Sequence, residues 1–511
     1  MQAEHQHRDR LDPEAERASR HGIAVPRDQD EVAESRDERQ PPESRRGRFG
    51  RMFDDPKLRP DPGDEAIETL AKKMIDGSGN SKPNEAIPAG YTYLGQFIDH
   101  DLTFDTTPQL QRDTDPRTLV NSRTPRFDLD SLYGSGPVDQ PFLYDWGEPG
   151  RLPPFPGVKL LVGKNPPKDE QTNVTLAAVD LPRNQQGRAL VGDARNDENL
   201  IISQLHLLFI HFHNKVVDQL SNGAEHLERT ELLAGAQRIV RWHYQWIVIH
   251  DFLPTIVGKE MAESVLPPAD GDAPPTVERK FFKWVDEPFM PVEFSAAAFR
   301  FGHSMVRETY RLNETDGVPI FLQGNQSGPH LGGLRRLPDS LRINWDQFFP
   351  TSSRITAAAA NLRMDSMRID DRLAPPLRQI PPDRKALARL NLRRGHRLGL
   401  PAGPLVADAM GVPRLSEEDL RLDGIDAATR DVLVQATPLW YYVLREAARR
   451  GDGGRRLGRV GGRIVAEVLA GLLEGDQSSY LHATPPWKPH LGATNHSFTM
   501  LDLIRFTLHD D

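Results

Sequence analysis

The spacing of apolar residues along the chain predicts a mainly helical protein. Apolar side chains return every three or four positions in several long segments, which places them on one face of a helix. Alternating patterns typical of strands are few, so we expect few and short strands. Stretches rich in Pro and Gly at 134–168, 267–275 and 375–382 predict loops, because these residues interrupt helices. The predicted long helices are 199–220, 228–252, 291–307, 431–449 and 460–473.

The first 48 residues differ from the rest of the chain. They are rich in Arg, Glu, Asp and Gln and contain almost no aromatic or branched apolar residues. Such a segment cannot bury enough apolar surface to fold. We therefore predict a disordered charged tail at 1–48, followed by one large domain at 49–511.

Composition narrows the classes of protein. The chain has 511 residues, 38% of them hydrophobic and 27% charged, as in soluble globular proteins. It has no apolar run long enough to span a membrane and no secretory signal, so we expect a cytoplasmic protein, with non-classical export left open. Acids outnumber Lys plus Arg by 73 to 64 and the basic residues are scattered, which argues against nucleic-acid binding. The absence of cysteine excludes disulfides and thiolate ligands and leaves His, Asp, Glu and backbone oxygens as metal ligands.

The most informative chemical motif is the segment 95–105, which reads GQFIDHDLTFD. If it is helical, Gln96, Asp99 and His100 project from one face, whereas Asp101 points elsewhere. This arrangement suits a pocket that holds a reactive ligand on one side and a hard cation on the other. A solvated helix end is the alternative interpretation.

A second motif, TPRFDLD at 124–130, offers regularly spaced oxygens. Its alternation allows side chains and carbonyls to converge on one cation, and Asp101 offers a further oxygen. The segment resembles a calcium loop, although a polar turn with helix-capping aspartates is the alternative. The oxygen-bearing positions are Thr124, Arg126, Asp128 and Asp130.

A third motif, GDARNDE at 192–198, lies directly before a predicted helix. Acids favour a helix N-terminus, so Asp197 and Glu198 are interpreted as capping residues. Arg195 opposes the helix dipole instead. It therefore indicates an anionic partner, or a negative charge that develops during a reaction.

Two further motifs contain an imidazole and an amide. His303 lies in FRFGHSM at 299–305, and Asn391 begins the polar part of LNLRRGH at 390–396. An Asn amide can accept a hydrogen bond from an imidazole and orient it. A hydrogen-bonded core residue is the alternative for His303. Three other histidines lack a carboxylate at ligand spacing and are interpreted as core or surface residues: His206, His211 and His213.

Together and in this order, the five motifs resemble the animal-type haem peroxidases of the peroxidase-cyclooxygenase superfamily. The resemblance runs from about Arg48 to the C-terminus, and the segment 437–481 is similar to bacterial members. It implies a single, mainly helical haem peroxidase domain that binds haem b and a calcium ion. It also implies an enzyme that reduces hydrogen peroxide and oxidises halides, pseudohalides or small phenolic donors.

The resemblance gives each motif a role. His100 matches the distal histidine and Arg195 the distal arginine, with Gln96 as a neighbour in the distal pocket. Asp99 and Glu198 match two carboxylates that form ester bonds to the haem. The remaining matches are His303 as proximal iron ligand, Asn391 as the acceptor of its second N–H, Arg300 and Arg394 near the haem propionates, and Asp101, Thr124, the carbonyl of Arg126, Asp128 and Asp130 as calcium ligands.

The chain departs from some family members at positions that affect chemistry. Asn199 stands where the strongest chlorinating members have a haem-linked Met, which argues against chloride oxidation. Asp130 replaces a neutral hydroxyl residue and should strengthen calcium binding.

Two alternative functions follow from the same resemblance. A fatty-acid dioxygenase would have a radical-forming Tyr three residues before the proximal histidine, where this chain has Arg300. A calcium-stabilised adhesion or interaction module would carry a merely structural haem. The presence of His100, Arg195 and Gln96 argues against such a module, because a structural haem requires none of them.

Overall fold

The structure is a computed structural model that describes most of the chain. As predicted, it is mainly helical with few short strands. The predicted tail at 1–48 lies outside the described residues, and the single domain at 49–511 stays a prediction. The described residues are 49–79, 81–104, 121–147, 153, 155–171, 173–223, 228–268, 275–314, 317–324, 326–349, 363–381, 385–494 and 496–508.

Most of the described secondary structure is α-helical. Across these residues, no helix is long and apolar enough to cross a membrane. The helices are α1 Asp64–Asp76, α2 Gly90–Leu102, α3 Asp130–Tyr133, α4 Leu200–Gly223, α5 Arg229–Ile247, α6 Leu253–Val257, α7 Lys259–Glu263, α8 Val292–Ser295, α9 Trp345–Phe348, α10 Leu387–Arg397, α11 Gly403–Ala409, α12 Glu417–Leu420, α13 Ala427–Gln435, α14 Leu439–Arg450, α15 Arg459–Gly475 and α16 Met500–Leu508.

The strands are short and form two-stranded pairs. The strands are β1 Phe49–Gly50, β2 Pro83–Pro88, β3 Gly163–Lys164, β4 Val179–Asp180, β5 Met290–Pro291, β6 Thr309–Tyr310, β7 Val318–Pro319 and β8 Asp365–Met367. β1 and β5 are parallel, whereas β2 with β8, β3 with β4 and β6 with β7 are antiparallel. Pairs of this size cannot form a core, so the helices supply it.

Three of the five predicted long helices are confirmed. α4 and α15 match the predictions at 199–220 and 460–473. The prediction at 228–252 is met by α5 and a following π-helical turn, Val248–Phe252. The π turn occurs just before Pro254, whose ring lacks an N–H and would clash with a preceding carbonyl.

The other two predicted helices are broken. The prediction at 431–449 is wrong at Thr437, because the residue before Pro438 is driven out of the helical conformation and α13 therefore ends before α14 begins. The prediction at 291–307 is also wrong, because α8 is followed by a separate 3₁₀ helix, Ala298–Met305. In this segment, side chains donate hydrogen bonds to backbone carbonyls that a continuous α-helix would use for its own backbone hydrogen bonds. The Arg300 Nε donates to the Ser295 backbone carbonyl at 3.0 Å. The Trp440 indole N–H donates to the Arg300 backbone carbonyl at 3.2 Å.

Aromatic packing joins the segments that carry the candidate site. α2 packs against α4 and against the 3₁₀ helix Ala298–Met305. Phe97 of α2 stacks on Phe209 of α4, with ring centroids 4.7 Å apart. A Cβ on Gly95 would lie 3.3 Å from the ring of Phe252, which is itself 6.1 Å from the ring of Phe299. The core therefore fixes α2 relative to the segment that contains His303.

Candidate active site

The face of α2 contains the three residues predicted to share it. Gln96, Asp99 and His100 lie on this helix, and Asp101 is directed into the protein on another side, where it is fully buried. Asp99 accepts a hydrogen bond from the Thr103 hydroxyl at 3.0 Å. Burial raises the pKa of Asp99, although the charges of Arg195 and Arg300 oppose this. The predicted helical placement is confirmed.

His100 is a buried, neutral imidazole. Its side chain is 5% exposed, its Nδ1 lies 2.7 Å from Asn196 Oδ1, and its Nε2 lies 3.9 Å from Glu198 Oε1. Burial and the charge of Arg195 lower the pKa of His100 to about 3. The ring is therefore unprotonated near neutral pH and can accept a proton.

Gln96 and Glu198 join His100 across the space between α2 and the motif before α4. The Gln96 amide donates a short hydrogen bond to Glu198 Oε1, and Asn199 Nδ2 lies 3.4 Å from Gln96 Oε1. Glu198 is 47% exposed, yet desolvation by the surrounding protein, together with Asp193 and Asp99, raises its pKa to about 7. The predicted residues Gln96, His100 and Glu198 thus meet at one place.

Arg195 lies in a 3₁₀ turn, Ala194–Asp197, and its charge has a protein partner. Its Nη2 donates to Asp193 at 2.7 Å and to the carbonyls of His100 and Thr103 at 3.0 and 2.6 Å. The anionic partner that the sequence left open therefore includes Asp193, which the sequence analysis missed. Burial opposes ionisation of Asp193, but the hydrogen bonds and charge of Arg195 lower its pKa well below the usual range.

The capping interpretation of Asp197 and Glu198 is wrong. Asp193 caps the 3₁₀ turn by accepting from the Arg195 amide, and Asn199 Oδ1 accepts from the Ile202 amide at 2.9 Å at the start of α4. Asp197 instead accepts two hydrogen bonds from Arg183, at 2.7 and 2.8 Å. Asp197 therefore forms a buried ion pair with a residue fourteen positions earlier, and neighbouring residues supply the caps.

The structure brings His303 and Asn391 together, but not in the predicted sense. His303 Nδ1 lies 2.8 Å from Asn391 Nδ2, and Arg300 Nη1 donates to Asn391 Oδ1 at 2.6 Å. Because a guanidinium can only donate, its contact must be the amide oxygen, and the amide NH₂ faces the imidazole. Burial and the charge of Arg300 lower the pKa of His303 to about 3. The prediction that Asn391 accepts from His303 is wrong for this arrangement, whereas the pairing itself is confirmed.

The two predicted propionate-binding arginines lie near this pair along the chain. Arg300 is in the same 3₁₀ helix as His303, three residues before it. Arg394 is in α10, three residues after Asn391. Their helices both pack against α14, so α14 helps to fix their positions.

The predicted calcium loop converges with α2. One carboxylate oxygen from each of Asp101, Asp128 and Asp130 lies within 4.8 Å of the others. Both oxygens of Asp101 are buried without a hydrogen-bond partner among the described residues. Burial and the neighbouring carboxylates raise the pKa of Asp101, and burial and Asp128 raise that of Asp130 to about 7. A buried carboxylate that no described group donates to, close to two further carboxylates, fits a divalent cation.

The other two predicted loop ligands lie in the same turn. Thr124 Oγ1 donates to Asp128 Oδ2 at 2.6 Å, and the Arg126 amide donates to the Thr124 carbonyl at 2.8 Å. Arg123, which the sequence analysis missed, connects this loop to the Arg195 motif. Its guanidinium is 3.0 Å from Asp130 Oδ1 and 2.6 Å from Asp193 Oδ2.

Comparison with known proteins shows the family of the chain. The sequence profile described as animal haem peroxidase matches residues 104–417, and the chain belongs to this family. Thyroid peroxidase from Mus musculus is 25% identical over 375 residues, covering 71% of this chain and 39% of the relative. Eosinophil peroxidase from Mus musculus is 30% identical over 223 residues, covering 42% of this chain and 28% of the relative. The chain thus spans well under half the length of these relatives.

Solved structures with the same fold include both peroxidases and dioxygenases. Peroxidase A from Dictyostelium discoideum superposes with a TM-score of 0.55 at 15% identity, covering 86% of this chain and 88% of that one. A fatty acid alpha-dioxygenase from Arabidopsis thaliana superposes with a TM-score of 0.54 at 18% identity, covering 90% and 76%. At these identities the likeness defines the fold, so the chemistry must be argued from the site.

Proposed function

We propose that the protein is a haem peroxidase that reduces hydrogen peroxide and oxidises halides, pseudohalides or small phenolic donors. The observation that carries this proposal is the buried neutral His100, with Gln96, Glu198 and Arg195 around it. Family membership supports haem as the cofactor. A binding module with a structural haem would not need a neutral base and a guanidinium at the same pocket.

The residues of the site fit a haem held between α2 and the 3₁₀ helix Ala298–Met305. His303 would bind the iron, Asp99 and Glu198 would form the ester links, and Arg300 and Arg394 would pair with the propionates. The fit rests on two buried neutral imidazoles, His100 and His303, carried by segments that pack together. Haem supplies the redox-active iron at which peroxide is reduced.

Two side chains would handle protons and charge during peroxide cleavage. His100 Nε2 would accept a proton from hydrogen peroxide and return it to the leaving oxygen, so that water departs. Arg195 would stabilise the negative charge that develops on that oxygen. Its Nε and Nη2 are held by Asp193. Among the described residues its Nη1 makes no hydrogen bond, so we assign the stabilising role to Nη1.

On the other side of the haem, the Arg300–Asn391 contact would have to change. A propionate is a stronger partner for Arg300 than a neutral amide oxygen, because both groups are charged. Release of Arg300 would let the Asn391 amide turn and accept from His303 Nδ1–H. His303 would then present the lone pair of Nε2 to the metal.

We also propose a calcium ion at Asp101, Asp128 and Asp130, with Thr124 and the Arg126 carbonyl as further ligands. The support is the buried carboxylate of Asp101, which has no hydrogen-bond partner in the described part of the chain, and the closeness of the three acids. Asp101 follows His100 directly in α2. A bound cation would therefore hold the helix turn that carries the catalytic imidazole.

The dioxygenase alternative receives support from the fold but not from the site. Structural similarity to a fatty acid alpha-dioxygenase, with a TM-score of 0.54, is close to that to the peroxidase, with a TM-score of 0.55. Arg300 occupies the position of the radical-forming Tyr, and its guanidinium cannot form such a radical. Its charge is also costly beside an acyl chain. Peroxidase chemistry is therefore the proposal we favour.

Replacing His100 tests the proposed reaction. We expect His100→Ala to keep its haem and to react with hydrogen peroxide about 10²- to 10⁴-fold more slowly, because the proton acceptor is lost. Stopped-flow absorption of the haem-loaded protein measures this rate. The matched control is His482→Ala, an exposed histidine whose Nε2 lies 2.8 Å from the Glu474 carbonyl. An unchanged peroxide rate in His100→Ala would rule out the proposed mechanism.

The identity of residue 199 predicts the order of halide donors. Asn199 caps α4 and contacts Gln96, and it offers no sulfur for the haem linkage that raises oxidising power. Bromide, iodide and thiocyanate should therefore be oxidised faster than chloride near neutral pH. A halogen trap with added peroxide measures the order. Efficient chloride turnover would contradict the role given to Asn199.

A further inference from the structure

Asn196 connects His100 to a second buried histidine. It lies between Arg195 and Asp197 in the 3₁₀ turn and is 0% exposed. Its Oδ1 is 2.7 Å from His100 Nδ1, and its Nδ2 is 2.9 Å from His206 Nδ1. His206, on α4, is 1% exposed. One amide thus contacts two imidazoles on different elements.

The chemistry of the amide fixes the direction of both hydrogen bonds. A carbonyl oxygen can only accept, so His100 Nδ1 carries the proton and donates to Asn196. The amide NH₂ can only donate, so His206 Nδ1 accepts. His100 Nε2 therefore keeps its lone pair, and this atom faces Glu198 Oε1 at 3.9 Å.

We propose that Asn196, oriented by His206, is a positioning residue that keeps the reactive lone pair of His100 on Nε2. This inference rests on the proposed peroxidase function. If the amide turned over, its NH₂ would face His100 Nδ1 and the proton would move to Nε2. The imidazole could then not accept a proton from peroxide at that atom. His206 opposes the turn, because it would bring the amide oxygen against the lone pair of His206 Nδ1.

The surroundings of His206 suit this role. Its ring makes an edge contact with Phe97, at a centroid distance of 6.2 Å, and Phe97 in turn stacks on Phe209. This packing fixes the imidazole that orients the amide. Burial also lowers the pKa of His206 to about 4, so the ring stays neutral and keeps a lone pair with which Nδ1 can accept from the amide. The interpretation of His206 as a plain core histidine is therefore incomplete.

Cyanide distinguishes this role from general stabilisation. Hydrogen cyanide must give up a proton to bind ferric haem as cyanide, whereas carbon monoxide binds ferrous haem without proton transfer. Asn196→Leu, similar in size, should slow cyanide association by about 10- to 100-fold, as expected for losing the partner that orients a reactive imidazole. Carbon monoxide association and haem content should stay unchanged.

A second variant tests the contribution of His206. His206→Phe keeps an aromatic ring against Phe97 but removes the acceptor for Asn196, so the amide loses its preferred orientation. Cyanide association should slow less than in Asn196→Leu, by about threefold to tenfold. If Asn196→Leu fails to fold, this variant still decides the proposal, because normal cyanide association in His206→Phe would overturn it.

The control is Ser203→Ala. Ser203 is buried in α4, and its hydroxyl donates to the Leu200 carbonyl at 3.2 Å, whereas the described partners of the Asn196 amide are His100 and His206. It should bind cyanide at the wild-type rate. Wild-type cyanide association in Asn196→Leu, or an equal slowing of carbon monoxide, would overturn the proposal. Failure of the proposed function looks different, because His100→Ala itself would then bind cyanide as fast as wild type.

Discussion

The two candidate haem-facing histidines are alike in burial and protonation but differ in their hydrogen bonds. Burial keeps both His100 and His303 neutral. His100 Nδ1 meets an amide oxygen, whereas His303 Nδ1 meets an amide nitrogen. In the proposed function, the polypeptide alone would therefore prepare the distal side, which contains His100, for proton transfer. The proximal side is arranged for Arg300 and would need the charge of the cofactor to rearrange.

The largest expected difference between the two sides concerns haem binding. His303→Ala should abolish stoichiometric haem incorporation, because it removes the iron ligand. His100→Ala should retain full haem content, since His100 is assigned to proton transfer. Absorption spectra and a haem assay on the purified variants measure both. A normal haem spectrum in His303→Ala would show that the assignment of the two sides is wrong.

Calcium removal should affect the distal side more than the proximal side. If calcium is present at 100 times its Kd, chelation removes about 2.7 kcal/mol of stability. The melting temperature and the peroxide rate should fall while haem remains bound. Asp101→Asn should reproduce the effect.

The matched control for the calcium prediction is an exposed acid. Asp408 pairs with Arg414 on the surface, so Asp408→Asn removes a carboxylate without touching the loop. It should melt like wild type and respond to chelation like wild type. An Asp101→Asn variant that behaves in the same way as this control would exclude the proposed coupling.

The smallest expected effect is one that the two sides share. The folded-state pKa of both His100 and His303 is about 3, below the unfolded value. The unfolded chain therefore binds protons first as the pH falls, and stability is lost below the unfolded pKa of about 6.5. As the pH falls from about 7.5 to about 5.5, each of these two histidines should lower the free energy of unfolding of the haem-free chain by about 1 kcal/mol.

Calorimetry of His100→Gln and His303→Gln measures these two contributions. Over the same pH change, the free energy of unfolding of each variant should fall by about 1 kcal/mol less than that of wild type, because one buried titrating group is gone. An undiminished loss in one variant would show that its histidine is already protonated in the folded protein. The similarity claimed for the two sides would then fail at that histidine.

The chemical groups of the site were accessible from sequence because they lie in local patterns. The face shared by Gln96, Asp99 and His100 follows from helical spacing, and α2 has that spacing. The convergence of the acids in the proposed calcium loop at 124–130 follows from their alternating positions in a turn. The breaks at Thr437 and after Ser295 were partly accessible. The proline signal at Pro438 was present, whereas one of the two side chains that interrupt 291–307, the Trp440 indole, comes from outside the local pattern.

By itself, the sequence determined which side chains are present and, for the motifs at 95–105 and 124–130, on which helix or loop they lie. The direction of their hydrogen bonds was decided only by the tertiary structure. His100 meets Asn196 from 96 residues away, and Asn391 meets Arg300 from 91 residues away. An amide can donate or accept, so its orientation depends on which distant donors and acceptors compete for it. Periodicity along the chain contains no information about that competition.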